Sequence, residues 1–285
     1  MPKVSVLMPV YKTREVYLRE AIESILNQSF GDFEFLILDD CPEDSREEIV
    51  RSYSDSRIKY LKNERNLGIS GSRNKLLDLA EGEYLAIFDH DDISRPDRLR
   101  KEADYLDAHP EVGVVSSWIC RFPWKKVFHN PVDDHDIKVS LTEHCIVAHS
   151  ASMIRKSVLA ENNIRYEKQF TPAEDYGMWY RLMAVTKFHN LPEVLFDYRW
   201  HNSNTSKIQC SRMVEMTRRM RALIQESYPV LRREYVSRAR HVSLIHLFGI
   251  VPLFKIVTSG YERKVYLFSK ILLLKQKTSS HLGEK

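Results

Sequence analysis

Short, predominantly apolar runs mark the N-terminal part of the chain at residues 4–8, 33–38, 58–61 and 85–88. Runs of this length, bounded by turn residues, predict strands buried on both faces. Between the first two, Leu18, Ala21, Ile22, Ile25 and Leu26 recur at helical spacing and predict an amphipathic helix over 16–27. A helix capped near Ser45 and broken by Pro42 is expected to run to about Tyr53. Another follows the Asn66-Leu-Gly68 turn over 69–80, and a further one runs from about Pro96 to His109. A fifth strand is predicted at 112–116. Strand alternating with helix at this spacing implies parallel βαβ units with right-handed crossovers. The pattern therefore predicts an α/β class, with residues 1–118 forming a nucleotide-binding half-domain.

The periodicity is less regular in residues 119–207, expected to complete the same domain. Residues 122–134 mix Pro, Trp, Lys and His and read as an acceptor-side loop. Strands are expected at 149–154, 187–190 and 194–200, and a short helix at 156–162. Thr171-Pro-Ala-Glu-Asp175 opens a helix with Trp179, Leu182 and Met183 on its buried face. Residues 208–285 read as a basic amphipathic helical tail. Its two apolar segments, 242–257 and 265–274, fall short of the roughly 20 apolar residues of a spanning helix. Basic and apolar residues at this density suit the surface of an anionic membrane, and equally a tail packed on the domain or a dimer contact.

Composition narrows the function classes. A net charge of +4 over 285 residues, without a Lys/Arg run or an RNA-binding signature, gives no footprint for nucleic acid. Cys41, Cys120, Cys145 and Cys210 are scattered without a C-x-x-C pair, which argues against a zinc site and fits a reducing compartment. Met1-Pro-Lys-Val runs straight into the first strand, so no signal peptide is expected.

The chemistry concentrates where strands end. Tyr84-Leu-Ala-Ile-Phe-Asp-His-Asp-Asp92 is an apolar run closed by three carboxylates, and the second run closes on Asp39-Asp40. Ligands of open α/β sheets bind outside the carboxyl ends of the strands. Asp89 and Asp91, two apart, suit a hard divalent cation that also holds substrate phosphates. The plainer reading is an acidic turn in which Asp92 caps the following helix. No G-x-G-x-x-G and no G-x-x-x-x-G-K-[ST] is present, so phosphate charge would fall to a metal and to basic side chains such as Arg73. Glu174 and Asp175 are explained by the helix dipole alone, or one of them is a general base.

Taken together, Val4-Ser-Val-Leu-Met-Pro-Val-Tyr11, Ile25-Leu-Asn-Gln-Ser-Phe30 and Phe35-Leu-Ile-Leu-Asp-Asp40 lead into Asn66-Leu-Gly68 and Ser72-Arg-Asn74. Asp89-His-Asp-Asp92 with Pro96-Asp-Arg-Leu99, Ala173-Glu-Asp175 with Trp179-Tyr-Arg-Leu182, and Tyr198-Arg-Trp-His201 complete the set. In this order, over residues 1–205, the pieces resemble the family 2 glycosyltransferases, inverting enzymes of GT-A fold. The resemblance implies a Rossmann-like, mixed but mostly parallel sheet flanked by helices. It implies a nucleotide-sugar donor, expected to be a UDP-sugar, and a glycan or lipid-linked saccharide acceptor in bacterial lipopolysaccharide, O-antigen or capsule synthesis. Pro9 and Tyr11 would line the nucleotide pocket, Asp40 with Asp39 would hydrogen-bond the base, and Arg73 would approach the diphosphate. Asp89 and His90 would sit on the donor. Asp91, with Asp89 and His201, would hold Mn²⁺ or Mg²⁺. Asp175 would be the base, with Glu174 assisting or holding acceptor. Phe196 stands where the Gln of the processive synthases' Q-x-x-R-W would be, so single-sugar transfer is expected. Asp39-Asp-Cys-Pro42 departs from the usual Asp-Asp-Gly-Ser and leaves the base preference open. Work at the cytoplasmic membrane face is expected. A nucleotidyltransferase, a non-catalytic sugar-nucleotide or glycan-binding module and an interaction protein with a membrane tail are the alternatives.

Overall fold

A computed structural model describes residues 1–238, 240–247, 251–259, 262–267 and 271–277, with side chains described as far as Arg238 except at Ser206. The chain divides into two units, 1–224 and 225–285.

The first unit opens with β1 (Val4–Val10), buried at every position, then α1 (Glu15–Leu26), β2 (Phe33–Asp39), α2 (Glu47–Arg51), β3 (Ile58–Lys62), α3 (Gly68–Leu79) and β4 (Tyr84–Ile87). After β4 come β5 (Ile93–Ser94), α4 (Arg98–Ala108), β6 (Val112–Phe122), β7 (Lys126–Phe128) and α5 (Asp134–Leu141). The unit continues with β8 (Met153–Arg155), α6 (Lys156–Glu161), α7 (Glu174–Leu182), β9 (Lys187–Arg199), α8 (Thr205–Ile208) and α9 (Cys210–Ser227), which runs across the unit boundary.

The sheet order is β3-β2-β1-β4-β8-β6-β9-β5, with β7 added to β6 as a hairpin. Strands β3, β2, β1 and β4 are mutually parallel, as the βαβ spacing requires. Beyond β4 the sheet becomes mixed: β8 is antiparallel to both β4 and β6, β9 is parallel to β6, and β5 is antiparallel to β9. The apolar stripe of α1 (Leu18, Ala21, Ile22, Ile25) closes against Val4, Val6, Met8 and Val10 in one core. At Gly82 a Cβ would come within 2.5 Å of the Ser5 amide nitrogen, so glycine lets the turn before β4 press onto β1.

Several boundaries differ from the sequence expectation. The strand expected at 112–116 continues to Phe122, and the two expected at 187–190 and 194–200 are one strand, β9. Pairing of β6 with β9 along their length supplies the hydrogen bonds that carry both across polar positions. His149–Ala151 is a 3₁₀ turn, not the beginning of a strand. Asp92 does not cap α4, whose N-cap position is Asp97.

The second unit contains α10 (Pro229–Arg238) and a four-stranded antiparallel sheet, β10 (Arg240–Leu247), β11 (Val251–Ser259), β12 (Glu262–Leu267) and β13 (Ile271–Lys277). Helix thus continues to Arg238, as expected, but within the apolar segments 242–257 and 265–274 the described residues 242–247, 251–257, 265–267 and 271–274 lie in strands where helix was expected. Both segments are rich in Val, Ile and Leu, whose branched side chains suit a pleated surface. Lys270, counted in the basic flank of the second segment, lies outside the described residues. Among the described residues no helix is long and apolar enough to cross a membrane.

Candidate active site

The carboxyl ends of β1, β2 and β4 lie side by side because the three strands are parallel neighbours. This register sets Pro9, Tyr11, Asp39, Asp40 and the 89–92 turn along one edge. Pro9 is buried within β1 and Tyr11 stands exposed just past its end. His90 Nδ1 lies 2.7 Å from Thr13 Oγ1, joining the β4 turn to the loop after β1.

Asp39 is fully buried. Its Oδ1 accepts the Cys41 amide at 3.0 Å, and its Oδ2 accepts the Arg46 amide at 2.7 Å and the hydroxyls of Ser45 and Tyr60 at 3.0 Å each. Asp40 Oδ1 accepts Asn63 Nδ2 and the Leu67 amide at 2.8 Å each, and its Oδ2 accepts the Gly68 amide at 2.9 Å. Gly68 has φ +72°, the left-handed region that a side chain disfavours, and this turn aims its amide at the carboxylate. Both carboxylates, expected to meet a base, spend their lone pairs on the loops that frame the pocket.

The β4 turn differs. Asp89 Oδ1 accepts Arg73 Nη2 at 3.0 Å, and Oδ2 accepts the Ser150 hydroxyl. Burial would push the Asp89 carboxyl up, but Arg73 and its other neighbours outweigh that and hold it below the ordinary value. Asp91 Oδ2 meets His201 Nε2 at 2.8 Å across 110 residues of sequence, as the resemblance implies for a shared site. Burial again opposes ionisation of Asp91, and the nearby imidazoles of His90 and His201 bring it below the ordinary value. Asp92 is fully buried: Oδ1 accepts the Arg199 amide at 2.7 Å, while Oδ2 has no hydrogen-bond partner. Burial and the charges of Asp91 and Asp89 push its carboxyl well up.

Arg73 does not open onto free space. Only 7% exposed, it donates Nη1 to Glu174 Oε1 at 2.7 Å while Nη2 holds Asp89, and it packs over the Tyr166 ring at 5.5 Å. One guanidinium thus ties the end of β4 to the start of α7. The second carboxylate of α7, Asp175, is half-buried; its Oδ1 accepts the Tyr176 amide at 2.7 Å, and Cys145 Sγ lies 3.7 Å from its Oδ2. Burial raises the Asp175 carboxyl above its ordinary value, and the Tyr176 amide and Arg73 only partly offset the shift. Burial also raises Glu174; Arg73 opposes this and the Asp175 charge adds to it. His149 is buried beside Arg73 with Nε2 2.8 Å from the Tyr166 hydroxyl, and burial, then the Arg73 charge, keep it neutral.

Asp91 and His201 offer the oxygen and imidazole donors that Mn²⁺ accepts, and they already converge. Two protein ligands leave positions for substrate oxygens. Asp89 is committed to Arg73 and Ser150, and among the described residues no three His, Cys, Asp or Glu side chains form one metal-holding group. Sequence reasoning passed over Arg199, which donates its amide to Asp92 and Nε to the Asp91 carbonyl at 2.6 Å. The Arg of Tyr198-Arg-Trp200 was the available signal. Ser150 and Tyr166 came with no motif at all.

Comparison with known proteins agrees with this geometry. The profile described as Glycosyl transferase family 2 matches residues 5–162. An uncharacterized glycosyltransferase of Methanocaldococcus jannaschii is 36% identical over 210 residues, covering 70% of this chain and 72% of that protein. The minor teichoic acid biosynthesis protein GgaB of Bacillus subtilis is 30% identical over 220 residues, covering 73% of this chain but 24% of GgaB. The crystal structure of S. aureus TarS 1-349 in complex with UDP-GlcNAc superposes with a TM-score of 0.67 at 21% identity, over 82% of this chain and 72% of that one; at that identity the likeness shows the GT-A-like fold. The chain belongs to glycosyl transferase family 2.

Proposed function

We propose that the protein is an inverting, non-processive transferase that moves one hexosyl or N-acetylhexosaminyl unit from a nucleotide-diphosphate sugar, a UDP-sugar first among them, to an acceptor hydroxyl. The observation that carries this reading is the Arg73 bridge. It sets the α7 carboxylates beside the β4 turn whose Asp91 meets His201. The proposed base and the proposed diphosphate-binding turn would thereby be joined through one guanidinium.

In the proposed reaction Asp175 accepts the proton of the acceptor hydroxyl as its oxygen bonds to the anomeric carbon. The bond from that carbon to the diphosphate breaks, the electron pair leaves with the diphosphate, and attack from the opposite face inverts the centre. The raised carboxyl of Asp175 makes it a better base than an ordinary aspartate. Glu174, held by Arg73, orients the sugar or acceptor beside it. Asp91 and His201 would hold Mn²⁺ or Mg²⁺, which would neutralise charge on the leaving diphosphate. Pro9, Tyr11 and the loops braced by Asp39 and Asp40 would frame the nucleotide, with His90 fixed by Thr13.

The GgaB relative's teichoic acid name supports assembly of a surface polymer on a glycan or lipid-linked acceptor, in the same class as lipopolysaccharide, O-antigen or capsule. The basic residues of α9 and α10, among them Arg218, Arg219, Arg232 and Arg233, support a peripheral position at the inner membrane face. The test is nucleotide release from a panel of sugar nucleotides with Mn²⁺, Mg²⁺ or EDTA. Slow, metal-dependent release of UDP from one donor is expected. Release from none, together with no metal-dependent nucleotide binding, would overturn the reading.

A further inference from the structure

An aromatic cleft of about 620 Å³ opens where β6 and β9 end, next to the Asp91–His201 pair. Trp200 follows β9 and donates its amide to the Phe122 carbonyl at 3.0 Å, which sets the two strand ends side by side. Trp124, at the turn of the β6–β7 hairpin, lies with its ring centroid 6.3 Å from that of Trp200 and the ring planes tilted by 56°. Trp124 is 61% exposed. An exposed indole forgoes a large apolar burial, so a partner that covers it gains affinity.

The rest of the lining supplies charge of one sign. Arg14 and Lys207 face the cleft, His201 closes one end, and no carboxylate lines it. Lys207 Nζ sits 4.8 Å over the Trp200 ring and 3.1 Å from Asn202 Oδ1, so its ammonium is held at the wall. Arg14 donates Nη1 to the Tyr17 hydroxyl at 2.9 Å, and among the described residues its other donors have no hydrogen-bond partner.

We propose that this cleft is a subsite for a phosphate-bearing pyranoside, the non-reacting part of the acceptor. The proposal rests on the transferase reading above. A pyranose ring has an apolar C–H face for an indole and a hydroxyl edge for Asn202 and Ser203, both of which line the cleft. Two cations with no opposing carboxylate suit a doubly charged phosphate better than a single carboxylate. The tilted tryptophans make a notch, which fits a ring and not the plane of a membrane. The cleft opens at the ends of β6 and β9, with Arg14 and Tyr17 of the α1 start on its other side; none of Pro9, Tyr11, Asp39 and Asp40, which would frame the nucleotide, lines it, and on that ground we assign it to the acceptor.

The experiment is calorimetric titration of the full chain with glucose 1-phosphate, methyl glucoside, glucuronate, inorganic phosphate and phosphatidylglycerol vesicles, each with and without saturating UDP. Glucose 1-phosphate is expected to bind at least about tenfold more tightly than methyl glucoside, glucuronate or inorganic phosphate, and to keep binding when UDP is present. Trp124→Ala and the double variant Arg14→Gln/Lys207→Gln should each weaken it by about tenfold or more. Trp124 is exposed, so the first variant tests the cleft without disturbing the core. Equal affinity for the neutral sugar, for inorganic phosphate or for glucuronate would overturn the phosphate-bearing pyranoside. Displacement by UDP would return the cleft to the donor, and binding of vesicles alone would make Trp124 a membrane contact; either result overturns the acceptor subsite. Nucleotide release by the wild-type chain separates the two proposals. Release without glucose 1-phosphate binding sinks the subsite alone, whereas glucose 1-phosphate binding with neither nucleotide release from any donor nor metal-dependent nucleotide binding sinks the transferase reading.

Discussion

The two acidic strand ends look alike in sequence and do different work. The β2 end presents Asp39-Asp40, the β4 end Asp89-His-Asp-Asp92, and each follows an apolar run. At the β2 end every described partner of a carboxylate oxygen is an uncharged amide or hydroxyl of the protein. At the β4 end the partners of Asp89 and Asp91 include a guanidinium, from Arg73, and an imidazole, from His201. A carboxylate surrounded by loop amides fixes a conformation. Carboxylates paired with a guanidinium or an imidazole are the arrangement found where charge is used in chemistry. The distinction lies in the partners, and a strand pattern does not show partners.

The sharpest separation is expected at Asp175, joined to the β4 side through Glu174 and Arg73. Asp175→Asn removes the base and should lower turnover by about 10²- to 10⁴-fold. Nucleotide affinity and melting temperature should stay near wild type. The raised carboxyl sets the sign of the pH dependence: the base is active when deprotonated, so activity rises with pH, and its acid limb lies above the pH of an ordinary aspartate. A variant with normal turnover, or a limb at the ordinary carboxylate range, would break the assignment.

The next pair tests the comparison directly. Asp39→Ala leaves two amides and two hydroxyls without their acceptor in a buried place. It should cost about 2–4 kcal/mol in a urea melt. Asp91→Ala should leave the melt nearly unchanged, while metal-dependent nucleotide binding falls. If Asp91→Ala melted like Asp39→Ala, both strand ends would be scaffold.

Arg73 should fall between these extremes. Arg73→Lys keeps the charge but cannot reach Asp89 and Glu174 in a fork, so turnover should drop by about tenfold or more with a smaller change in stability. Arg73→Ala leaves the buried Glu174 and the half-buried Asp89 without the cation they share and should also destabilise the fold. Equal turnover in the Lys variant and the wild type would show that the bridge sets no geometry.

Much of the first half was legible because each buried strand is a short, predominantly apolar run and the helices carry apolar stripes at helical spacing. The four strands β1 to β4 as parallel βαβ units, and the helix that Glu174 and Asp175 open, were expected; the sheet order β3-β2-β1-β4 comes from the structure. The insertion of β8 between β4 and β6 did not, since its three residues, Met153–Arg155, take their place through pairing with two strands far away in sequence. The same holds for β5, two residues long, whose partners are Phe196 and Asp197. The role of Arg73 was misjudged in its direction: a basic residue near a phosphate site suggested the phosphate. Burial instead turned it toward Asp89 and Glu174. In the second unit, branched apolar residues among lysines fitted helix and strand equally well on periodicity, and strand pairing decided between them.

The smallest expected effect concerns Asp92, the member of the β4 turn that shares a property with each side. It is as buried as Asp39, yet Oδ2 has no partner, and burial with the charges of Asp91 and Asp89 raises its carboxyl well above the ordinary value. In the folded chain it is therefore a neutral acid over a range where the unfolded chain has already ionised. The sign follows from linkage: the contribution to stability is fully present below the unfolded value and is lost as pH rises toward the folded one. Asp92→Asn matches the neutral acid in shape and cannot ionise, so its stability at low pH should stay near wild type. The fall in stability with rising pH should be shallower than in the wild type, measured as urea midpoints from pH 4 upward. A steeper fall in the variant would mean that Asp92 is ionised in the fold and held by Arg199, which would move it to the charge-bearing side with Asp89 and Asp91.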